Sequence, residues 1–154
     1  MACQNNRTEL AEILLKNNKI NVNLQDNNYG WSPFFVACEN NRYESVLLML
    51  QDPRVDVNLA NNWGWSPLMQ ACHVGRTKIV QLLLSSGRYI DIHKKSTKYD
   101  YSGGAANFKS GSTALDMAKQ TNSTDVVKLL KQYQKNPKET QKTTRNKLNL
   151  KGKK

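Results

Sequence analysis

The sequence lacks three features that would assign it to a common class: a long hydrophobic run, a dense set of cysteines and a secretory signal. A membrane-spanning helix needs about 20 consecutive apolar residues, and none of the 154 residues lies in such a run. Three cysteines are too few for a disulfide framework. The first ten residues, MACQNNRTEL, have neither the basic nor the apolar region of a signal peptide. We therefore expect an intracellular protein without membrane contact, in the cytoplasm or alternatively the nucleus.

Negative charge is also scarce, and the resulting positive charge is concentrated at one end. Lys and Arg total 23 against 12 Asp and Glu, which gives a net charge of +11. Residues 134–154 hold seven Lys and one Arg against a single Glu, so this tail alone carries +7. It is predicted to be either a disordered, solvated tail or a short basic helix that begins at the Asn136-Pro137 cap.

Internal repetition dominates the rest of the chain. The motif GWSPFFVACENNR recurs as GWSPLMQACHVGR after 34 residues and as GSTALDMAKQTNS after a further 47. A second motif recurs every 35 residues, as INVN at 20–23, VDVN at 55–58 and IDIH at 90–93. A period of this length indicates stacked supersecondary units.

Each repeat can be interpreted as two helices and a connection. Ser32-Pro33, Ser66-Pro67 and Thr113-Ala114 have the pattern of a helix N-cap and first helical residue. Asn or Gly at 41, 75 and 122 would end that helix in the left-handed conformation. A second, apolar-rich helix follows in each unit. The alternation in VDVN predicts an extended segment.

These motifs, above all GWSPLMQACHVGRTKIVQLLLSSG, resemble the ankyrin repeat over about residues 2 to 133. The resemblance implies an all-α solenoid of helix-turn-helix pairs joined by β-hairpin-like loops. The histidine of the family motif is replaced by Phe35, Met69 and Asp116. The expected units are a partial repeat 1–23, repeats 24–58, 59–93 and 94–133, the last with an enlarged hairpin 94–110, and the basic tail 134–154.

The two ends of the expected array differ. Aligned on the repeat, Met1 falls inside a first helix, whereas Lys128, Lys131 and Gln132 give the last unit a polar outer face. A polar face is typical of a terminal capping repeat. We expect the C-terminal portion of a longer array, or a first face that another chain covers.

The third hairpin is much longer than the others. Five residues separate Asn58 from Gly64, whereas 17 separate His93 from Gly111, an insertion of twelve. Long loops on a rigid scaffold are often functional, and a solvated excursion is the alternative. The aromatic residues of this loop are candidates for partner contact: Tyr99, Tyr101 and Phe108.

Further aromatic and apolar residues gather at the hairpins and at the start of the first helices. The resemblance implies that hairpin tips and the concave inner-helix face bind partners, and Trp and Tyr are frequent interface anchors. The candidate contact residues there are Tyr29, Trp31, Phe35, Trp63, Trp65 and Met69. The alternative for Trp31 and Trp65 is simple stacking between adjacent repeats.

Catalytic chemistry is not expected. Cys38 and Cys72 occupy equivalent positions one repeat apart, about 10 Å and thus too far for a disulfide. Cys72 and His73 are adjacent on a helix and point about 100° apart, so with Asp116 they make a poor triad. No metal-binding spacing or phosphate-binding glycine loop is present. We therefore expect no enzyme, cofactor or metal site.

The sequence favours a non-catalytic scaffold that binds an unidentified protein partner. The alternative is a nucleic acid or an acidic partner, bound through the basic tail and the Lys-rich loop 94–110, with Lys94, Lys95 and Lys98. Such binding would weaken steeply with salt. A third alternative is a purely structural segment that links domains of a larger protein.

Overall fold

Helices joined by hairpin-like loops make up the structure, a computed structural model that describes residue 9 and residues 11–97 and 109–150. The predicted all-α solenoid is confirmed, and no residue within these ranges adopts a strand. None of the helices in the described ranges has the length and apolar character needed to cross a membrane. The described residues of the first helix, α1, are 9 and 11–16. The others are α2 Pro33–Glu39, α3 Tyr43–Gln51, α4 Pro67–His73, α5 Thr77–Ser85, α6 Ala114–Gln120, α7 Thr124–Lys135 and α8 Pro137–Lys147.

The predicted helix signals act as expected in the three units. The Ser32 and Ser66 hydroxyls accept the backbone N–H of the third helical residue, at 3.2 and 3.3 Å. Thr113 does the same and forms a capping box with Asp116. The short helices α2, α4 and α6 are followed by left-handed residues at 41, 75 and 122, with φ of 56, 66 and 55°. These caps fix the length of each first helix.

Stacking of successive units creates one continuous core. The short inner helices α2, α4 and α6 pack in a row, and the outer helices α3, α5 and α7 form a second row. Leu68 on an inner helix and Leu82 on an outer helix are both buried between the units. No unit could bury its apolar side alone, so stability depends on contacts between neighbours.

The VDVN-type segments differ from the extended conformation that the alternation predicted. Residues 57 and 58 lie in a turn, and the Leu59 N–H donates to the Asp56 carbonyl at 3.4 Å. Val55 and Val57 are nonetheless both buried. A tight turn between stacked units can bury alternate side chains as a strand does, so the pattern alone did not separate the two.

Arginines cap the outer helices from outside. Arg54 donates to the Asn17 carbonyl at 3.3 Å, beyond the end of α1. Arg88, one repeat later, donates to the equivalent Asp52 carbonyl at 3.1 Å, beyond α3. Carbonyls at a helix C-terminus have no partner within the helix and favour cations. Each arginine therefore joins a unit to the one before it.

The basic tail contains α8, which packs against α5 and α7. Thr140 and Thr144 are buried on the packed side of this helix. The Arg145 guanidinium donates to the Ser85 carbonyl at 2.7 Å and to the Ser86 carbonyl at 3.3 Å, so it caps α5. Too polar to be stable alone, α8 is held by these tertiary contacts.

Candidate partner-binding surface

Three equivalent polar residues organise the hairpin loops. Asp26 accepts the backbone N–H groups of Tyr29 and Trp31, both at 2.7 Å. Asn61, 35 residues later, accepts those of Trp63 and Trp65, both at 3.0 Å. Each side chain therefore accepts backbone N–H groups that would otherwise have no partner within the loop.

Ser96 is the third member of this set and closes the base of the enlarged hairpin. Its hydroxyl accepts the Ser112 N–H at 3.1 Å, and its backbone N–H donates to the Ser112 carbonyl at 2.9 Å. The insertion therefore leaves the base of the third hairpin like the other two. The predicted contact residues Tyr99, Tyr101 and Phe108, and Lys98, lie outside the described residues.

Backbone hydrogen bonds also join neighbouring hairpins. The Asn62 N–H donates to the Tyr29 carbonyl, and the Thr97 N–H donates to the Trp63 carbonyl, both at 2.9 Å. Close approach requires glycine at position 64, where a Cβ atom would lie 2.8 Å from the Thr97 nitrogen. The three loops are thus held in a row.

Four aromatic rings stack along this row, and we call them the aromatic ladder: Trp63, Tyr29, Trp31 and Phe35. The Tyr29 ring lies between two tryptophans, with centroids 5.6 Å from Trp63 and 4.8 Å from Trp31 and interplanar angles of 24 and 27°. Trp31 stacks in turn on Phe35 at 6.2 Å. Tyr29 is 44% exposed and both tryptophans are half-buried. The ladder therefore presents aromatic surface at the hairpins from a buried base.

The structure places the other predicted contact residues inside the array. Phe35, Trp65 and Met69 are 1, 2 and 0% exposed, so their side chains leave no surface for a partner in this conformation. Trp65 lies edge-on to the His73 ring at 5.3 Å. Met69 occupies the lost-histidine position, and its sulfur accepts the Ser66 N–H at 3.4 Å. Met69 therefore caps the start of its own helix.

Electrostatics at the hairpins centre on Asp26. Hydrogen bonds from the Tyr29 N–H, and then from the other backbone N–H groups of the loop, lower the pKa of this carboxyl below its usual 3.8. The carboxylate form is the one that orders the loop. Asn61 performs the same task without charge in the second loop, so the carboxylate form is needed at Asp26 but not at Asn61.

Reactive groups are few in the described part of the chain. The thiols of Cys38 and Cys72 are buried, and burial raises the pKa of both. Thiolates are the reactive form of cysteine, so neither thiol is activated. Among the described residues no cluster of His, Cys, Asp and Glu could hold a metal ion.

The loop-ordering residues Asp26, Asn61 and Ser96 escaped the sequence interpretation. Their signal was the constant 35-residue spacing, which the change from Asp to Asn to Ser conceals. All three types accept backbone N–H groups in turns. A comparison of acceptor chemistry at equivalent positions would have found them.

A comparison with known protein families gives a match over most of the chain. A family model described as ankyrin repeats, three copies, matches residues 1–61 and 53–144, and so extends into α8. No curated protein matches the chain.

Proposed function

The chain belongs to the ankyrin-repeat family, and from this premise we propose that it is a non-catalytic module that binds a protein partner through its hairpin loops. Ankyrin repeats are generally protein–protein interaction modules. The proposed contact surface consists of the exposed members of the aromatic ladder, Tyr29, Trp31 and Trp63. The loop residues Tyr99, Tyr101 and Phe108 extend this proposal along the third hairpin.

The aromatic ladder is the observation that carries the proposal. Tyr29, 44% exposed, stacks between two half-buried tryptophans on loops that hydrogen bonds hold in a row. Flat, rigid aromatic side chains give large contact area and lose little conformational freedom on binding. Such a preorganised surface suits a protein partner.

Burial moves the proposed contact away from the inner helices. Phe35 is the buried ring on which Trp31 of the aromatic ladder stacks, and Met69 caps its own helix. A contribution of the concave face would therefore come from side chains other than these two. The hairpin loops remain the principal surface.

The test compares one double variant and one control variant with the native chain by affinity capture and quantitative mass spectrometry. Tyr29→Ala combined with Trp63→Ala removes two of the three exposed members of the aromatic ladder and leaves Trp31 in place. Tyr89→Ala is the matched control, because Tyr89 is 78% exposed and belongs to no aromatic pair described above. A partner retained by the native chain and by the control should be depleted about tenfold or more in the double variant.

Equal capture by all three proteins would contradict this surface. Thermal unfolding of each variant serves as the check on folding. If the double variant loses stability, Tyr29→Ala alone provides the same comparison, since it removes the most exposed ring.

Electrostatic binding through the basic tail and the Lys-rich loop 94–110 is the second candidate. Lys138 and Lys142 are exposed on α8, on the side opposite the buried Thr140 and Thr144. A nucleic acid bound there would lose affinity steeply as salt rises. Replacing both lysines by glutamate and titrating duplex DNA at two salt concentrations distinguishes this candidate from the aromatic surface.

A further inference from the structure

A groove lies at the C-terminal end of the array, between α6 and α7, and we call it the terminal groove. It has a volume of about 410 Å³. Its lining residues are Lys119, Asn122, Thr124, Val127, Lys128 and Lys131. None of the described residues of α8 lines it, because that helix packs on α5 and another side of α7. The terminal groove is therefore open.

Repeat equivalence explains the shape of the terminal groove. Lys119 and Lys131 align with Cys72 and Leu84 of the preceding unit, which are 0 and 1% exposed. Val127 aligns with Val80, which is completely buried. In that unit, α6 and α7 pack on the corresponding surface. The terminal groove thus corresponds to the space beside α4 and α5 that α6 and α7 occupy.

The walls of the terminal groove are positively charged, whereas its floor is apolar. Three of its six lining side chains are lysines, and no carboxylate among the described residues lines it. The nearest ion pair joins Lys119 to Asp116 at 3.9 Å, with both side chains about half exposed. Exposed pairs of this kind contribute little, so Lys119 stays available to an incoming anion. Val127 remains half-buried between the lysines.

The positive charge of the terminal groove continues along one side of α7. Lys128, Lys131 and Lys135 are three and four residues apart and thus lie on one side of the helix. A helix with acidic residues on both sides of an apolar residue would be complementary to this surface, because its carboxylates would face the lysines and its apolar residue would face Val127. A need for solubility would explain the lysines, but it would not explain the apolar Val127 or a groove in the place that helices fill next to the preceding unit.

We propose that the terminal groove binds an acidic amphipathic helix of a protein partner, with an apolar residue of that helix against Val127 and its carboxylates against Lys119, Lys128 and Lys131. The terminal groove shares no residue with the aromatic ladder. The two proposals therefore stand or fall separately.

The experiment titrates the full chain with a synthetic helical peptide in which glutamates flank a leucine stripe. Binding is followed by fluorescence anisotropy and by the NMR signals of the Val127 methyl groups. Saturable binding with a shift of those signals is expected. Lys128→Glu combined with Lys131→Glu should weaken binding about tenfold or more, because attraction becomes repulsion at two contacts.

The matched control is Lys138→Glu combined with Lys142→Glu, which makes the same charge change on the exposed side of α8. It should change the affinity less than about threefold, in keeping with a long-range effect of net charge. A peptide with lysines in place of the glutamates should in turn bind the Lys128→Glu and Lys131→Glu protein better than it binds the native chain. Circular dichroism verifies that both double variants are folded.

Several results would overturn the proposal. Unmoved Val127 signals at saturating peptide would show that the apolar floor is not used. Equal weakening by the two charge reversals would show attraction to net charge only. A duplex DNA that binds more tightly than the peptide and is weakened by the same groove variants would assign the terminal groove to a nucleic acid instead.

Discussion

Replacement of Gly64 by alanine tests how far the array depends on close contact between hairpins. Gly64 has φ of +76°, and an added Cβ would lie 2.8 Å from the Thr97 nitrogen and 2.9 Å from two atoms of its side chain. A left-handed conformation costs an alanine about 1–2 kcal/mol. Overpacking against backbone adds about 1–3 kcal/mol. We therefore expect Gly64→Ala to lower the free energy of unfolding by roughly 1.5–4.5 kcal/mol, once the reduced entropy of the unfolded chain is included.

Gly111 provides the matched control. It has φ of +88° at the equivalent hairpin position, but no described atom lies within 4 Å of the Cβ that alanine would add. Gly111→Ala therefore measures the conformational cost alone, which the reduced entropy of the unfolded chain lowers to about 0.5–1.5 kcal/mol. The difference between the two variants isolates the clash with the next hairpin.

The assay is urea unfolding followed by tryptophan fluorescence, with the free energy extrapolated to water. Equal losses in the two variants would refute the reasoning, since they would show that the contact with Thr97 adds nothing. A changed slope would mean that the surface exposed on unfolding has changed or that the unfolding is no longer a single transition.

Three further predictions concern other parts of the structure. The folded structure lowers the pKa of Asp26 below 3.8, so the ionised carboxylate stabilises the fold above that pH, and the stabilisation is lost as the pH falls further. Protonation of Asp26 should therefore disorder its loop in acid. The NMR signal of the Tyr29 amide should move with pH in the native chain and stay constant in Asp26→Asn. Arg145→Ala should release α8 and cost about 1–2 kcal/mol, measured as faster proteolysis of α8, whereas Lys142→Ala should not. Trp65→Ala should cost about 3–5 kcal/mol by urea unfolding, and a loss below 1 kcal/mol would contradict its burial.

Local rules account for what could be predicted from the sequence. Ser66 and Thr113 were identified as N-caps because a hydroxyl directly before a helix can accept a free backbone N–H of the first turn. The left-handed residues at 41, 75 and 122 followed from Asn and Gly alone. The family match, in turn, rests on the recurrence of these signals in register.

Tertiary contacts account for what could not be predicted. Trp31 and Trp65 occupy the same position in successive units, yet one is half-buried and the other is 2% exposed. The difference arises from the neighbouring units, which periodicity alone does not report. The docking of α8 depends likewise on Arg145 reaching carbonyls about sixty residues earlier.

The arginine that closes the end of α5 has a consequence for how the chain opens. Arg54 and Arg88 reach back one unit, whereas Arg145 ties the second complete unit to a helix that follows the third. Opening of α8 therefore exposes the Ser85 and Ser86 carbonyls at the end of α5, so the docked α8 protects the end of a helix that lies two units earlier in the chain. Amide hydrogens of α8 should exchange with solvent at a lower opening free energy than those of the buried helix α5, so fraying at this end begins with a helix that contacts two units rather than one.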